Sequence, residues 1–304
     1  MPKRRKIKRN KVQIAKQDRI FYAIAFVVLL FLLVITGYPI LYILSSAFSS
    51  RQAVISGRVF LFPVDFSLEG FEAVFEQKDV LIGYRNTIIY TVGGTLINVV
   101  ITMLAAYAFS RKDWPMKNFM VMIFMFTMIF SGGMVPSYLL MRDLKLLNTP
   151  WAMLLPGALS IYNMTIARTF IQNNIPYELF EAARIDGCDD FRYFTHLVLP
   201  LSKAILAVLS LYYAVGHWNA YFNALIYLNN RNLYPLQVFL REILILNEFD
   251  NEAIIDEELM MVKQGMADLL RYALIVVSTA PILCMYPFVQ RYFVKGVMIG
   301  SVKG

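Results

Sequence analysis

Residues 172–203 read QNNIPYELFEAARIDGCDDFRYFTHLVLPLSK, a polar and charged segment set between long apolar ones. Pro176 is well placed as the first residue of a helix, because a helix start leaves that N–H unpaired in any case. Glu178 and Glu181 put negative charge on the positive N-terminal turns. A short helix is expected from about Pro176 to Asp186. Leu179, Phe180, Ala182 and Ala183 leave one side of it small and apolar, Gly187 supplies its end, and Asp189 caps the helix that follows. Pro200 then marks the entry to the next apolar stretch. The product is a helix, a glycine hinge and a second helix, a shape suited to a groove on a partner because small side chains permit close approach.

The flanks of this segment belong in lipid. The chain has 304 residues, 58% of them hydrophobic and 16% charged, with a mean hydropathy of +0.55. That leaves too little polar surface to coat a soluble globule. A charge at the bilayer centre costs about 2.5–3.5 kcal/mol, so charge-free windows of about 20 residues are the primary signal. There are six, at 20–50, 86–110, 118–141, 149–167, 204–230 and 272–290. The expected spans within and around them are about 20–46, 86–110, 118–141, 149–170, 203–228 and 271–292. The expected fold is therefore an all-α integral membrane protein of six transmembrane helices, with residues 172–202 as a loop between the fourth and fifth.

Direction follows from the basic residues. With the N-terminus inside, 19 of the 29 Lys and Arg fall on the inner side and 10 on the outer. Positive residues favour the cytoplasmic face, so both termini are expected there. Nine of these basic residues crowd into the tail 1–19, which fits a cytoplasmic anchor on anionic lipid better than a nucleic-acid site. The uncharged run that follows is too long for a signal peptide and reads as an uncleaved first span of the domain 20–304. Pro39, the cluster Ser131, Gly132, Gly133 and Pro136, then Pro156, Pro281 and Pro287, are expected to interrupt spans. Such breaks suit either a bundle that moves or ordinary helix kinks.

Residues 172–203 resemble the EAA loop of ABC importer permeases, which implies a place in the plasma membrane of a bacterial cell. That pattern is EAA, three residues, Gly, nine residues, an aliphatic residue, any residue, then Leu-Pro. Glu181, Ala182, Ala183, Gly187, Leu197, Leu199 and Pro200 fall on it in register, with Leu197 where Ile is usual and Cys188 where Ala is commoner. The resemblance implies a type I importer permease fold whose cytoplasmic coupling helix docks into an ATPase subunit. Carried onto this sequence, Glu181, Ala182, Ala183, Asp186 and Gly187 form the docking surface and its hinge, with Phe180 and Phe191 as apolar anchors. Arg85, Asn86 and Thr87 at the second span, Trp218 and Asn219 in the fifth, and the closing QRYFVKGVMIGSVKG resemble the carbohydrate branch, that of the shorter maltose permease subunit. The segment YNMTIARTF, 162–170, is most similar to permeases for complex or uronate-containing oligosaccharides.

The partners this implies are a second, different permease subunit, two copies of a cytoplasmic ATPase, and an extracytoplasmic sugar-binding lipoprotein. ATP and Mg2+ belong to the ATPase, and this chain is expected to hold no cofactor or metal and to have no enzymatic activity of its own. Its sequence contains no Walker-type GK[ST], no HExxH, and no G-x-S-x-G. Six uncharged spans alone would equally suit a channel, a structural membrane protein or a permease for another small solute. The EAA spacing is what favours the oligosaccharide importer.

Sugars are held by aromatic faces together with amides and hydroxyls. Tyr162 and Asn163 in the fourth span, and His217, Trp218, Asn219, Tyr221 and Asn223 in the fifth, offer that mixture. The same groups also suit plain hydrogen bonding between helices. The maltose-type resemblance implies that the partner permease makes most substrate contacts, and His217 stands where Gln is common. The outer acidic stretch 248–258 lacks EF-hand spacing and reads either as a solvated face or a calcium site, while 231–247 resembles a loop that reaches into the binding protein. Cys188 and Cys284 are too isolated to suggest a disulfide or metal site.

Overall fold

The structure, a computed structural model, describes residues 16–249 and 257–300. Most of the basic tail, the core of the acidic stretch 248–258 and the last four residues of the closing QRYFVKGVMIGSVKG lie outside the described residues. Everything described is helix or connection. The helices are α1 (Lys16–Ala47), α2 (Arg51–Ile55), α3 (Glu69–Glu76), α4 (Lys78–Ser110), α5 (Lys117–Ile129), α6 (Met134–Asp143), α7 (Trp151–Leu154) and α8 (Ile161–Asn174). They continue as α9 (Tyr177–Ile185), α10 (Asp190–Tyr193), a π turn at Phe194–Val198, α11 (Leu199–Leu201), α12 (Lys203–Trp218), α13 (Phe222–Tyr227), α14 (Leu236–Phe249) and α15 (Glu257–Gly300). A 3-10 turn, Arg231–Leu233, precedes α14.

Three helices, α1, α4 and α15, are each long and apolar enough to cross a membrane, and up to five crossings result if two bent pairs each form one. α5 and α6 make the first pair, bent by 112°. The break falls at 130–133, where Gly133 adopts φ +87°, a left-handed conformation that suits glycine. The second pair joins the 190–201 segment to α12 at 82°. The window 149–167 is divided between α7 and α8, with 155–160 as loop. The window 204–230 ends its first helix at Trp218 and resumes at Phe222.

The prolines behave less uniformly than expected. Pro39 lies inside α1, and Pro281 and Pro287 inside α15, and both helices run through them. The reason is visible at Pro281. Its missing N–H frees the carbonyl of Val277, and the hydroxyl of Tyr84 on α4 donates to that carbonyl at 2.9 Å. The Trp218 indole N–H donates to the next carbonyl, Ser278, at 2.8 Å. Neighbouring helices thus satisfy what proline releases, as lipid cannot.

α4 is the spine. It packs along α12 and α8 in the middle and meets α7, α14 and the 3-10 turn toward one end. α1 is apolar on all sides and exposed along most of its length, leaning chiefly on α15, which is the character of a helix facing lipid. The largest buried cluster lies toward the C-terminal end of α4. It joins Met103 and Phe109 of α4, Met164 of α8, Phe180 of α9, Tyr193 of α10 and Leu209 of α12. The 177–198 segment therefore shares one core with α4, α8 and α12.

Candidate functional site

α9 ends in a Schellman motif. The N–H of Cys188 donates to the carbonyl of Ala183 at 2.8 Å, and that of Gly187 to Arg184 at 3.1 Å, around Gly187 at φ +76°. The Asp189 side chain then accepts from the N–H of Arg192 at 2.7 Å and starts α10. Pro176 is the N-cap of α9 rather than its first residue, a shift of one position within the usual uncertainty of helix ends. Pro200 falls inside α11, and the chain turns two residues later, at the buried Ser202. Proline offers no N–H to the carbonyl of His196, and the π turn at Phe194–Val198 is the local accommodation.

The seven residues assigned here from sequence divide by face. Phe180 and Ala183, each 8% exposed, point into the shared core. Glu181, Ala182, Asp186, Gly187 and Phe191 are exposed, Phe191 to 74%. Ile185, which sequence reasoning passed over, is 86% exposed on the same segment. Its only signal was a bulky aliphatic residue amid polar ones.

Beneath α9 lies Arg111, the C-cap of α4. Its side chain is 11% exposed and bonds Asp113, Asp190 and Tyr107, with its guanidinium carbon 3.6 Å from the centre of the Phe180 ring. The hydrogen bond from Arg111 holds the Asp113 carboxyl below the usual carboxylate range, against an opposing effect of burial. Burial raises the Tyr193 phenol. A cavity of about 240 Å³ opens here between Lys112, Lys117, Pro176, Tyr177 and Phe180.

The seven residues assigned to a substrate path are dispersed. His217 and Asn223 line one cavity of about 200 Å³, together with Asn98, Tyr212, Tyr213 and Gly157. His217 Nε2 sits 3.1 Å from Asn98 Nδ2, in the space that Gly94 leaves open on α4. Tyr213 hydrogen-bonds Thr102 at 2.6 Å and accepts from the N–H of Ser160 at 3.2 Å. Trp218 is buried in its bond to α15, and Asn219 donates to Val215 of its own helix at 2.9 Å. Tyr162 and Tyr221 are exposed, and Asn163 is buried in α8. Asn98 escaped notice in the sequence because it stands alone in an apolar run, and Tyr213 because the pair in LSLYYAV, 209–215, reads as aromatic packing. Among the described residues, no group of three or more His, Cys, Asp or Glu is placed to hold a metal ion.

At the other end of α4, Asn86, Thr87 and Tyr90 hold the strap 232–236. Asn86 Nδ2 donates to the carbonyls of Asn232 at 2.7 Å and Tyr234 at 3.0 Å, and Tyr90 to that of Leu233 at 2.8 Å. Thr87 Oγ1 accepts from the N–H of Leu236 at 2.8 Å. Arg231 bridges Asp79 at 2.9 Å and Glu242 at 2.8 Å, and these partners, Asp79 first, raise its pKa over the opposing cost of burial. Gly83 lets the strap approach, since a Cβ there would lie 2.9 Å from the Leu236 Cα.

With this geometry in place, the relatives can be compared. The chain is 36% identical over 288 residues to the polygalacturonan/rhamnogalacturonan transport system permease protein YtcP of Bacillus subtilis, covering 95% of this chain and all of that one. It is 38% identical to Protein LplC of the same organism, over 89% of this chain and 90% of the other. A crystal structure of a bacterial ABC transporter involved in the import of the acidic polysaccharide alginate contains a chain that superposes with a TM-score of 0.82 at 34% identity, covering 92% and 98% of the two. Residues 98–299 match the sequence profile of the binding-protein-dependent transport system inner membrane components. The chain belongs to that family, as a permease component of an ABC importer.

Proposed function

We propose that the chain is one permease subunit of an ATP-driven importer of acidic oligosaccharides, and that α9 is its coupling helix. The observation that carries this reading is the EAA-spaced segment folded as one unit with α4, α8 and α12. Whatever pushes α9 pushes membrane helices directly. Glu181, Ala182, Asp186 and Phe191, with Ile185, form the face that meets a cytoplasmic ATPase. Gly187 is the hinge, and Phe180 and Ala183 fasten the helix to its own bundle.

The full assembly is this chain, a second and different permease, two copies of the ATPase, and an extracytoplasmic binding lipoprotein that delivers sugar. ATP and Mg2+ are used by the ATPase. The chain crosses the membrane six times with both termini inside, the bent pairs and the α7–α8 region supplying the crossings beyond α1, α4 and α15. α9 then lies in the cytoplasm and the Arg231 strap outside.

The relatives named for polygalacturonan, rhamnogalacturonan and alginate support a uronate-containing substrate. The cavity at His217 and Asn223 is lined by amides, phenols and an imidazole but by no Lys or Arg. It suits hydroxyl groups, so recognition of the sugar carboxylates falls to the binding protein and the partner permease.

The decisive experiment is purification of the tagged chain from its native membrane, followed by uptake of labelled oligogalacturonate in reconstituted vesicles. A P-loop ATPase and a second permease are expected to copurify, with ATP-dependent uptake. Recovery of the chain without either protein overturns the importer reading.

A further inference from the structure

We propose that Arg111 is the positioning residue that makes α9 and α4 move as one body. The proposal rests on the coupling role of α9 given above and names the contact through which that motion enters the membrane.

Arg111 reaches three separate pieces of chain. Nε donates to Asp113 Oδ1 at 2.8 Å, with Nη2 on the same carboxylate, which fixes the short α4–α5 connection. Nη1 donates to Asp190 Oδ1 at the start of α10 at 3.0 Å and to the Tyr107 hydroxyl on α4 at 3.0 Å. The guanidinium plane lies over Phe180 of α9. Next to it, Lys112 Nζ stands 4.7 Å from the centre of Tyr177, whose ring is 5.5 Å from that of Phe180. Two consecutive cations at the end of α4 thus grip two aromatic rings of α9. Lys117 Nζ in turn donates to the Arg111 carbonyl at 2.6 Å and secures the backbone that presents them.

This arrangement needs arginine. A planar fork serves two carboxylates, a phenol and an aromatic face together, whereas lysine is a single point charge. The side chain is largely withdrawn from water, so pulling α9 away together with α10 would cost it the Phe180 ring and the Asp190 carboxylate. Separation of α9 from α4 is thereby opposed, while movement of the pair together is not. The exposed face of α9 has no part in the grip and stays free for the ATPase.

The test uses the complete importer in vesicles, with Arg111→Ala, Arg111→Lys and Asp190→Asn, reading assembly, ATP hydrolysis and sugar taken up per ATP. In Arg111→Ala the ATPase is expected to remain bound and to hydrolyse ATP while uptake per ATP falls about tenfold or more, as expected for losing several charge-assisted contacts. Arg111→Lys should fall between it and the unaltered chain. Asp190→Asn should lower uptake per ATP on its own and add nothing in the Arg111→Ala background. Uptake per ATP unchanged in Arg111→Ala, or loss of the ATPase from the complex, overturns the proposal. If Arg111→Ala does not insert, Asp190→Asn decides alone, and its silence is equally fatal. An unaltered chain that brings down no ATPase would instead refute the coupling role itself.

Discussion

Gly187 shows how one residue sets the geometry of the face proposed for docking. Its φ of +76° is costly for a side-chain-bearing residue, yet an added Cβ would meet nothing within 4 Å. Substitution therefore acts through backbone strain of about 1–2 kcal/mol and not through a clash. Gly187→Val is expected to insert and assemble normally but to lose uptake, whereas Gly187→Asn, which tolerates the left-handed region, retains most of it. Gly94 is the opposite case, because a Cβ there would clash with the edge of the His217 ring. Gly94→Ala should cost about 1–3 kcal/mol by overpacking, read as a lower melting temperature in detergent. Its neighbour is the control: Gly93→Ala places the new carbon 3.7 Å from Leu154, an ordinary contact, and should be nearly neutral. Asp113 carries a pH signature. Its pKa is lower folded than unfolded, so its stabilising contribution is complete above about pH 5 and is lost as the pH falls through the depressed folded value. The melting-temperature gap between the unaltered chain and Asp113→Asn should be widest at neutral pH and shrink progressively as the pH falls below about 4.

At the scale of elements, α15 continues through Pro281 because α4 answers the carbonyl that proline frees. Removing the Tyr84 hydroxyl in Tyr84→Phe should cost about 0.5–1.5 kcal/mol. Pro281→Ala restores the N–H that Val277 lacks, so the same Tyr84→Phe change in that background should cost much less. Equal costs in both backgrounds would show that the phenol acts elsewhere. This pair also marks what the sequence made legible. The windows of α1, α4 and α15 could be read because absence of charge over about 20 residues is a local property. The α9 hinge could be read because Gly187 and Asp189 stand at fixed offsets from a short apolar face. Whether a proline breaks a helix depends on a donor two hundred residues away, and Tyr84 gives no local sign of its partner. The inward turn of Phe180 likewise depends on Arg111, which in sequence is only a basic residue after an apolar run. Of the dispersed substrate candidates, His217 and Asn223 line one cavity, His217 in the room that Gly94 leaves.

On the whole molecule, both ends of α4 are held by an arginine with two carboxylate partners: Arg111 with Asp113 and Asp190, Arg231 with Asp79 and Glu242. With 33 residues at about 1.5 Å each, α4 spans about 50 Å, more than a bilayer, so both arginines sit beyond the apolar zone where such pairs are cheapest to keep. On the proposed six-span topology, the charge asymmetry, 19 basic residues against 10, favours the cytoplasm for the Arg111 end. In a chain with Cys188 and Cys284 replaced by Ser, Asn229→Cys is then expected to react with a membrane-impermeant maleimide in intact cells, while Asn173→Cys reacts only after the membrane is opened. Both positions are off the pairs that hold α4, so the labels report sidedness and leave the fold intact. The opposite pattern would put α9 outside, where no ATPase could reach it, and the distribution of basic residues would then have misled as to which end of the strut receives the force.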